Sequence, residues 1–299
     1  MINLPHISVL GEEFLSFFQD RPLKTFVDCT LGAGGHSALI LEKHPEIERL
    51  IGLDQDVKAL EIAKMRLLPW KDKIELVQSN FEQLEEILQK LGISSVDGIF
   101  LDIGVSSMQL DRSERGFSFL REGPLDMRMN PDEDISAEVL VNSFRQEELE
   151  VIFRDLGEER HYRRAAKAIV EARRKKRICT TTELAEVIAK VLPRRGKLHP
   201  ATQVFQALRL KVNRELEVLR EVLPQAIKLL APGGRLGVIS FHSLEDRIVK
   251  ELFRSQAKEN PGLKILTKKP LVAARQETRQ NPRSRSAKLR FLERVNSSL

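Results

Sequence analysis

Nine consecutive residues, Asp28-Cys29-Thr30-Leu31-Gly32-Ala33-Gly34-Gly35-His36, place an acid, three glycines and a histidine in one short span. Glycines at that density let a backbone approach a ligand closely and turn sharply into a helix. Asp54 stands twenty residues beyond Gly34. At the end of a strand, a carboxylate so placed can accept both ribose hydroxyls of a nucleoside. A second acid, Asp102, closes the apolar run Val96-Asp97-Gly98-Ile99-Phe100-Leu101 and is followed by Ile103-Gly104-Val105. A glycine loop alone is weak evidence for a nucleoside site. The loop, the acid at Asp54 and the strand–helix context around them are together much stronger.

These residues need elements that hold them at one edge, and the hydrophobic pattern supplies them. Thr25–Asp28, Arg49–Asp54, Lys73–Val77 and Val96–Asp102 read as four strands. Val57, Leu60, Ala63 and Leu67, then Phe81, Leu84, Leu88 and Leu91, recur at helical spacing between them. Strands separated by such helices imply a parallel sheet covered on both faces. From about Ser113 to Gln203 the strand rhythm stops, and helices are expected over Glu147–Leu156, over Tyr162–Lys176 and from Thr181 onward. One long amphipathic helix carrying Leu208, Val212, Leu216 and Leu219 leads to the turn Leu230-Ala231-Pro232-Gly233-Gly234 and a strand over Arg235–Ser240. Ser286–Val295 can add a final antiparallel strand.

The expected fold is therefore α/β, a Rossmann-like sheet with an inserted all-helical domain. Residues 1–112 and 204–299 form the sheet domain and residues 113–203 the insertion. A dinucleotide fingerprint needs a third small residue, but His36 and Ser37 follow the glycine pair, so G-x-G-x-x-G is incomplete. By analogy with sheets of this kind, Asp102 and the Leu230–Gly234 turn favour a class I methyltransferase and S-adenosyl-L-methionine over a nicotinamide cofactor.

The chain has 299 residues, 41% hydrophobic and 31% charged, which is ordinary for a soluble domain or pair of domains. No apolar run is long enough to cross a membrane, no secretory signal is visible at Met1–His6, and two cysteines make no disulfide framework. A cytoplasmic protein is expected. Residues 263–299 carry ten Lys/Arg against two Asp/Glu, and residues 154–177 carry ten against four, on a chain whose net charge is only +6. Either block alone reads as a solvated surface; two on a nearly neutral remainder point to an RNA-binding surface.

Further segments resemble one family closely, the bacterial 16S ribosomal RNA cytosine-N4 methyltransferases of the RsmH (MraW) type. The matching stretches are Gly34–Ser37, Leu101–Leu110 (LDIGVSSMQL), Glu114–Phe119 (ERGFSF), Gly123–Met129 (GPLDMRM), His199–Thr202 (HPAT), Val238–Lys250 (VISFHSLEDRIVK) and Asn281–Arg290 (NPRSRSAKLR). The resemblance implies rRNA methylation at N4 of cytosine 1402, with 16S ribosomal RNA, within the small ribosomal subunit, as partner. It also implies cofactor contacts at Gly34, Gly35, His36, Asp54, Phe81, Asp102 and Gln109.

Asp102 is the candidate catalytic residue, as an acceptor for the reacting amine's N–H; equally, it can be a cofactor contact. Many amino-methyltransferases carry an Asp/Asn-Pro-Pro-aromatic motif at this strand end, and Ile103-Gly104-Val105 replaces the rest of it here. Phe117 and Phe119 are either core or a stacking platform for an extruded base. His242 is read as facing the ligand without being catalytic, since Ser243-Leu244-Glu245-Asp246 resembles a capping box. The six histidines are scattered and no metal is expected. Arg283, Arg285, Lys288 and Arg290 are candidate phosphate contacts. Arg194, Arg195, Lys197 and His199 would form the other wall of an RNA cleft. Monomer and homodimer both stay open. Rival functions are methylation of another acceptor and a non-catalytic RNA-binding ribosome assembly factor. The second predicts a spoiled cofactor loop, yet Gly34, Gly35 and Asp54 are all present.

Overall fold

The computed structural model describes residues 8–104, 110, 112–194, 196 and 198–295, which divide into two compact units: Met1–Gly104 with Leu216–Leu299, and Val105–Glu215. In the first unit, α1 (Gly11–Ser16) precedes β1 (Thr25–Asp28), α2 (Gly35–Lys43), β2 (Arg49–Asp54), α3 (Val57–Arg66), β3 (Ile74–Gln78), α4 (Leu84–Lys90) and β4 (Val96–Asp102). β1, β2 and β4 are mostly buried along their length, as strands covered on both faces must be. Asp56 caps α3 by accepting from the Lys58 N–H, which stops the chain from running straight out of β2.

The second unit is helical: α5 (Ala137–Ser143), α6 (Gln146–Asp155), α7 (Tyr162–Lys175), α8 (Thr181–Ala189) and α9 (Thr202–Val212). Thr180 and Glu183 form a reciprocal capping box at the start of α8. The core of this unit holds Leu140, Leu149, Phe153, Ile169, Leu184, Ile188, Val204 and Leu208. It thus includes α9, which the expected boundary at residue 203 assigned to the sheet domain.

The chain then returns to the first unit with α10 (Glu215–Leu229), β5 (Leu230–Ser240), α11 (Ser243–Glu259), β6 (Leu263–Ile265), α12 (Arg275–Gln280) and β7 (Lys288–Arg294). The single long helix expected here is two. Asn213 bonds through its side chain to the Met127 carbonyl and the Met129 N–H, and Arg214 takes a left-handed φ of 50°, so the helix cannot continue. Β5 begins earlier than expected, because Leu230 already pairs with Val96; the ladder then shifts register so that Gly98 meets Arg235.

Among the described residues the sheet has seven strands in the order β3-β2-β1-β4-β5-β7-β6, with β7 antiparallel between β5 and β6. This is the Rossmann-like α/β arrangement expected, with a reversed pair at one edge. Phe14, Phe18, Phe26, Phe100 and Phe291 fill the core beside the sheet, Phe14 lying 4.4 Å from Phe100 and Phe18 5.4 Å from Phe26. Offset and edge-on pairs of this kind add about 0.5–1.5 kcal/mol each beyond area burial. Because β1, β2 and β4 run parallel, Asp28, Asp54 and Asp102 all end at one edge. No helix among the described residues is long and apolar enough to cross a membrane.

Candidate active site at the carboxyl edge of the sheet

The turn after β1 is held by its own acid. Asp28 is buried and accepts from the Thr30 N–H at 3.1 Å and from Ser37 Oγ at 2.7 Å, tying the loop to the first turn of α2. Gly34 caps that helix at φ 73°, a left-handed conformation that a side chain would strain. The first N–H groups of α2 have no partner inside the helix and lie beside the loop, where an anionic or polar ligand can use them.

Asp54 closes the other side of the loop. Its Oδ2 accepts from the Gly32 N–H and its Oδ1 from the Asp56 N–H, each at 2.8 Å. Each oxygen keeps a lone pair for a ligand hydroxyl. Burial pushes Asp54 up to about 6, opposed by those two N–H bonds. Strand spacing puts Asp54 and Asp102 roughly 10 Å apart, one strand on either side of β1, a span suited to a nucleoside.

Asp102 is the most perturbed of the three acids. Burial raises it, and the charges of Asp28 and Glu245 raise it further, to about 8. Its N–H donates to Thr30 Oγ1 at 2.6 Å, and its Oδ2 lies 3.6 Å from His36 Nδ1. Its Oδ1 is buried with no hydrogen-bond partner. A buried carboxylate oxygen left open in this way is suited to an incoming N–H. The glycine turn, the acid at Asp54 and this open oxygen together fit S-adenosylmethionine.

Other expected contacts are placed less directly. The His36 ring is turned into the core between Phe14 and Phe100, and its Nε2 donates to the Val9 carbonyl at 2.9 Å. The imidazole is thus engaged by the core on one side and lies 3.6 Å from Asp102 on the other. Phe81 sits partly buried just past β3, opening the short 3-10 turn Phe81–Gln83 at the same edge. Gln109 lies outside the described residues, as do Arg195 and Lys197.

His242 caps α11. Its Nδ1 accepts from the Glu245 N–H at 3.4 Å, and its Nε2 is 3.0 Å from Glu245 Oε1. Glu245 is fully buried and also accepts from the N–H groups of Phe241 and His242. A capping box is present, but one residue earlier than the expected Ser243–Asp246: His242 is the cap and Glu245 its partner. Glu245 and Asp28 were missed as site residues: one read as a capping partner, the other as a strand end, and neither signal shows that both carboxylates bear on Asp102.

The tail needs a correction. Arg290 is buried and pairs with Asp246 at 2.6 Å, and Lys288 pairs with the same carboxylate at 3.4 Å. Both brace β7 against α11; Arg290 is buried and is not a phosphate contact, while Lys288 stays partly exposed. Arg283 and Arg285 are exposed on the turn Pro282–Ser286.

In the helical unit, Phe117 is 7% exposed within the core, so it is a packing residue and not a stacking platform. Phe119 is partly buried, 4.7 Å from the rings of both His199 and Phe205. His199 Nδ1 accepts from the Ala201 N–H, and the ring lines a small pocket with Glu159, His161 and Gln203. The Gly123–Met129 stretch is a brace: Asp126 holds Arg128 through two 2.8 Å contacts, and Arg115 reaches the carbonyls of Arg128 and Met129. Among the described residues no group of three or more His, Cys, Asp or Glu is arranged to hold a metal ion.

A family model described as the MraW methylase family matches residues 3–295. Among curated proteins, ribosomal RNA small subunit methyltransferase H of Persephonella marina is 49% identical over 293 residues, covering 97% of this chain and 99% of the relative. The protein of the same name from Protochlamydia amoebophila is 50% identical over 309 residues, with 97% and 98% covered. Among solved structures, an rRNA methylase from Streptococcus thermophilus covers 97% of this chain and 99% of its own at a TM-score of 0.47 and 10% identity, a level that carries no argument.

Proposed function

The chain belongs to the MraW methylase family, and from that premise we propose that it methylates the exocyclic N4 amine of cytosine 1402 in 16S ribosomal RNA, with S-adenosylmethionine as donor. The name its relatives carry supports ribosomal RNA of the small subunit as substrate. The observation that carries the chemistry is Asp102, with a buried oxygen open to a donor.

When bound, S-adenosylmethionine supplies a methyl group made electrophilic by its sulfonium. The chain's own residues then have two tasks. The first is orientation: Asp54 and the N–H groups at Gly35 and His36 fix the donor, and holding two reactants in line can be worth about 7–11 kcal/mol of barrier. The second concerns the proton. Cytosine N4 is a poor nucleophile because its lone pair is delocalised into the ring. Asp102 would accept one N4–H, which localises that pair, and would hold the proton the amine gives up when the methyl passes from sulfur to nitrogen. A carboxylate poised near 8 suits such transfer close to neutral pH. Phe119 and His199 on the helical unit are proposed RNA contacts, as are Arg283 and Arg285 on the sheet unit for phosphate.

The test is to incubate the protein with isotopically labelled S-adenosylmethionine and small subunits lacking the modification, digest the RNA and map label by mass spectrometry. N4-methylcytidine at position 1402 is expected. Label on a different nucleoside, or on protein, would show another acceptor.

A further inference from the structure

The helix α7 carries a charge pattern that helix stability does not explain. Positions 163, 164, 167, 171, 174 and 175 fall on one face about 120° wide, since each residue turns the helix by about 100°. They are Arg163, Arg164, Lys167, Glu171, Arg174 and Lys175, five cations and one acid, all exposed, and Arg160 stands exposed in the turn before the helix. The opposite face buries Ala165, Ala166 and Ile169 in the core of the helical unit, so the stripe is fixed outward.

A face kept only for solubility would alternate its signs. Here Arg163 and Lys167 stand four residues apart on the helix, a like-charge spacing that costs about 0.2–0.5 kcal/mol. The helix dipole favours cations at its C-terminal end, which accounts for Arg174 and Lys175. It disfavours them at the N-terminal end, where Arg163 and Arg164 sit and the first turn has no acid. Partners offset little of this. Arg163 lies 3.9 Å from Glu150 and Lys167 3.7 Å from Glu171, both pairs exposed on the cation side, and no acid is paired with Arg160, Arg164, Arg174 or Lys175 among the described residues.

We infer that this stripe is a phosphate-binding surface that takes the RNA backbone, an inference that rests on RNA being the substrate. It runs about 18 Å from Arg163 to Lys175 at 1.5 Å per residue, long enough to meet several phosphates. Phosphate contacts of this kind set affinity and orientation.

The experiment compares the full-length protein with an Arg160→Gln/Arg164→Gln/Lys167→Gln/Arg174→Gln variant and with a control of equal charge change on the sheet unit, Lys43→Gln/Lys64→Gln/Lys71→Gln/Lys90→Gln. Each is titrated with 16S RNA over a range of salt and, separately, with S-adenosylmethionine. The stripe variant should keep its donor affinity and lose RNA affinity tenfold or more at low salt. Its slope of log K against log salt should shallow by about 3, near 0.7–0.9 per lost contact. The control should shift far less. A stripe variant matching wild type, or a control weakened equally, overturns the inference while leaving the substrate reading intact. Wild-type protein that neither binds nor methylates RNA overturns both.

Discussion

Three carboxylates at one sheet edge share one problem: each sits, buried or half-buried, where its charge is disfavoured. Asp28 and Asp54 are pushed up to about 6 by burial, and Asp102 to about 8 by burial with the charges of Asp28 and Glu245. Asp102→Asn keeps shape and removes both charge and proton affinity. Turnover should fall by at least 100-fold, in line with the usual contribution of a general base, while donor affinity changes little; single-turnover kinetics and calorimetry check the two halves. In the wild type the methyl-transfer rate should climb as pH rises through about 8, and a flat profile would remove Asp102 from proton transfer. Asp54 and Asp102 were legible in the sequence because an acid at the end of an apolar run has few other readings. The inward turn of His36 was not, since its partners Phe14, Phe100 and Val9 come from three separate segments. Phe117 shows the same limit: alternation with Phe119 left core and stacking both open, and only burial separates them.

At the scale of elements, Asn213 terminates α9 and braces the Gly123–Met129 segment at once. Asn213→Ala removes its bonds to the Met127 carbonyl, the Met129 N–H and the Arg209 carbonyl. Stability should drop by about 2–4 kcal/mol, since buried groups lose partners as well as bonds; chemical denaturation measures it, and a loss below 0.5 kcal/mol would deny the brace. Gly116 is a second pivot, with φ +71° and the Pro124 carbonyl 2.2 Å from where a Cβ would stand, so Gly116→Ala should destabilise the helical unit by a comparable amount. Periodicity marked the first four strands and the helices α6 and α7 well, because their burial repeats over many residues. It merged α9 with α10 because Leu208, Val212, Leu216 and Leu219 stay in phase across the break. It passed over β6, whose three residues are too few to show a period.

For the molecule as a whole, the shifted acids set opposing pH limits. Asp28, Asp54 and Asp102, all raised, bind protons on folding, so their contribution to stability grows as pH falls through about 8 and then 6. Asp20, Asp126, Asp246 and Glu183 are lowered by cationic partners, and what they contribute is lost as pH falls below the ordinary carboxylate range near 4. The melting temperature should therefore peak near pH 4–5, where the raised acids are protonated and the lowered ones still charged, and Asp102→Asn should flatten its alkaline limb. A peak at pH 8 would contradict the assignment. The account stands most directly on the grip of the sheet edge on its donor. Calorimetric titration of S-adenosylmethionine into wild-type protein and Asp54→Ala measures that grip. One donor per chain is predicted for the wild type, with affinity reduced about 10- to 100-fold in the variant, the loss of charge-assisted bonds worth roughly 1.5–3 kcal/mol. No heat with folded wild-type protein, or equal affinity in both, would contradict it.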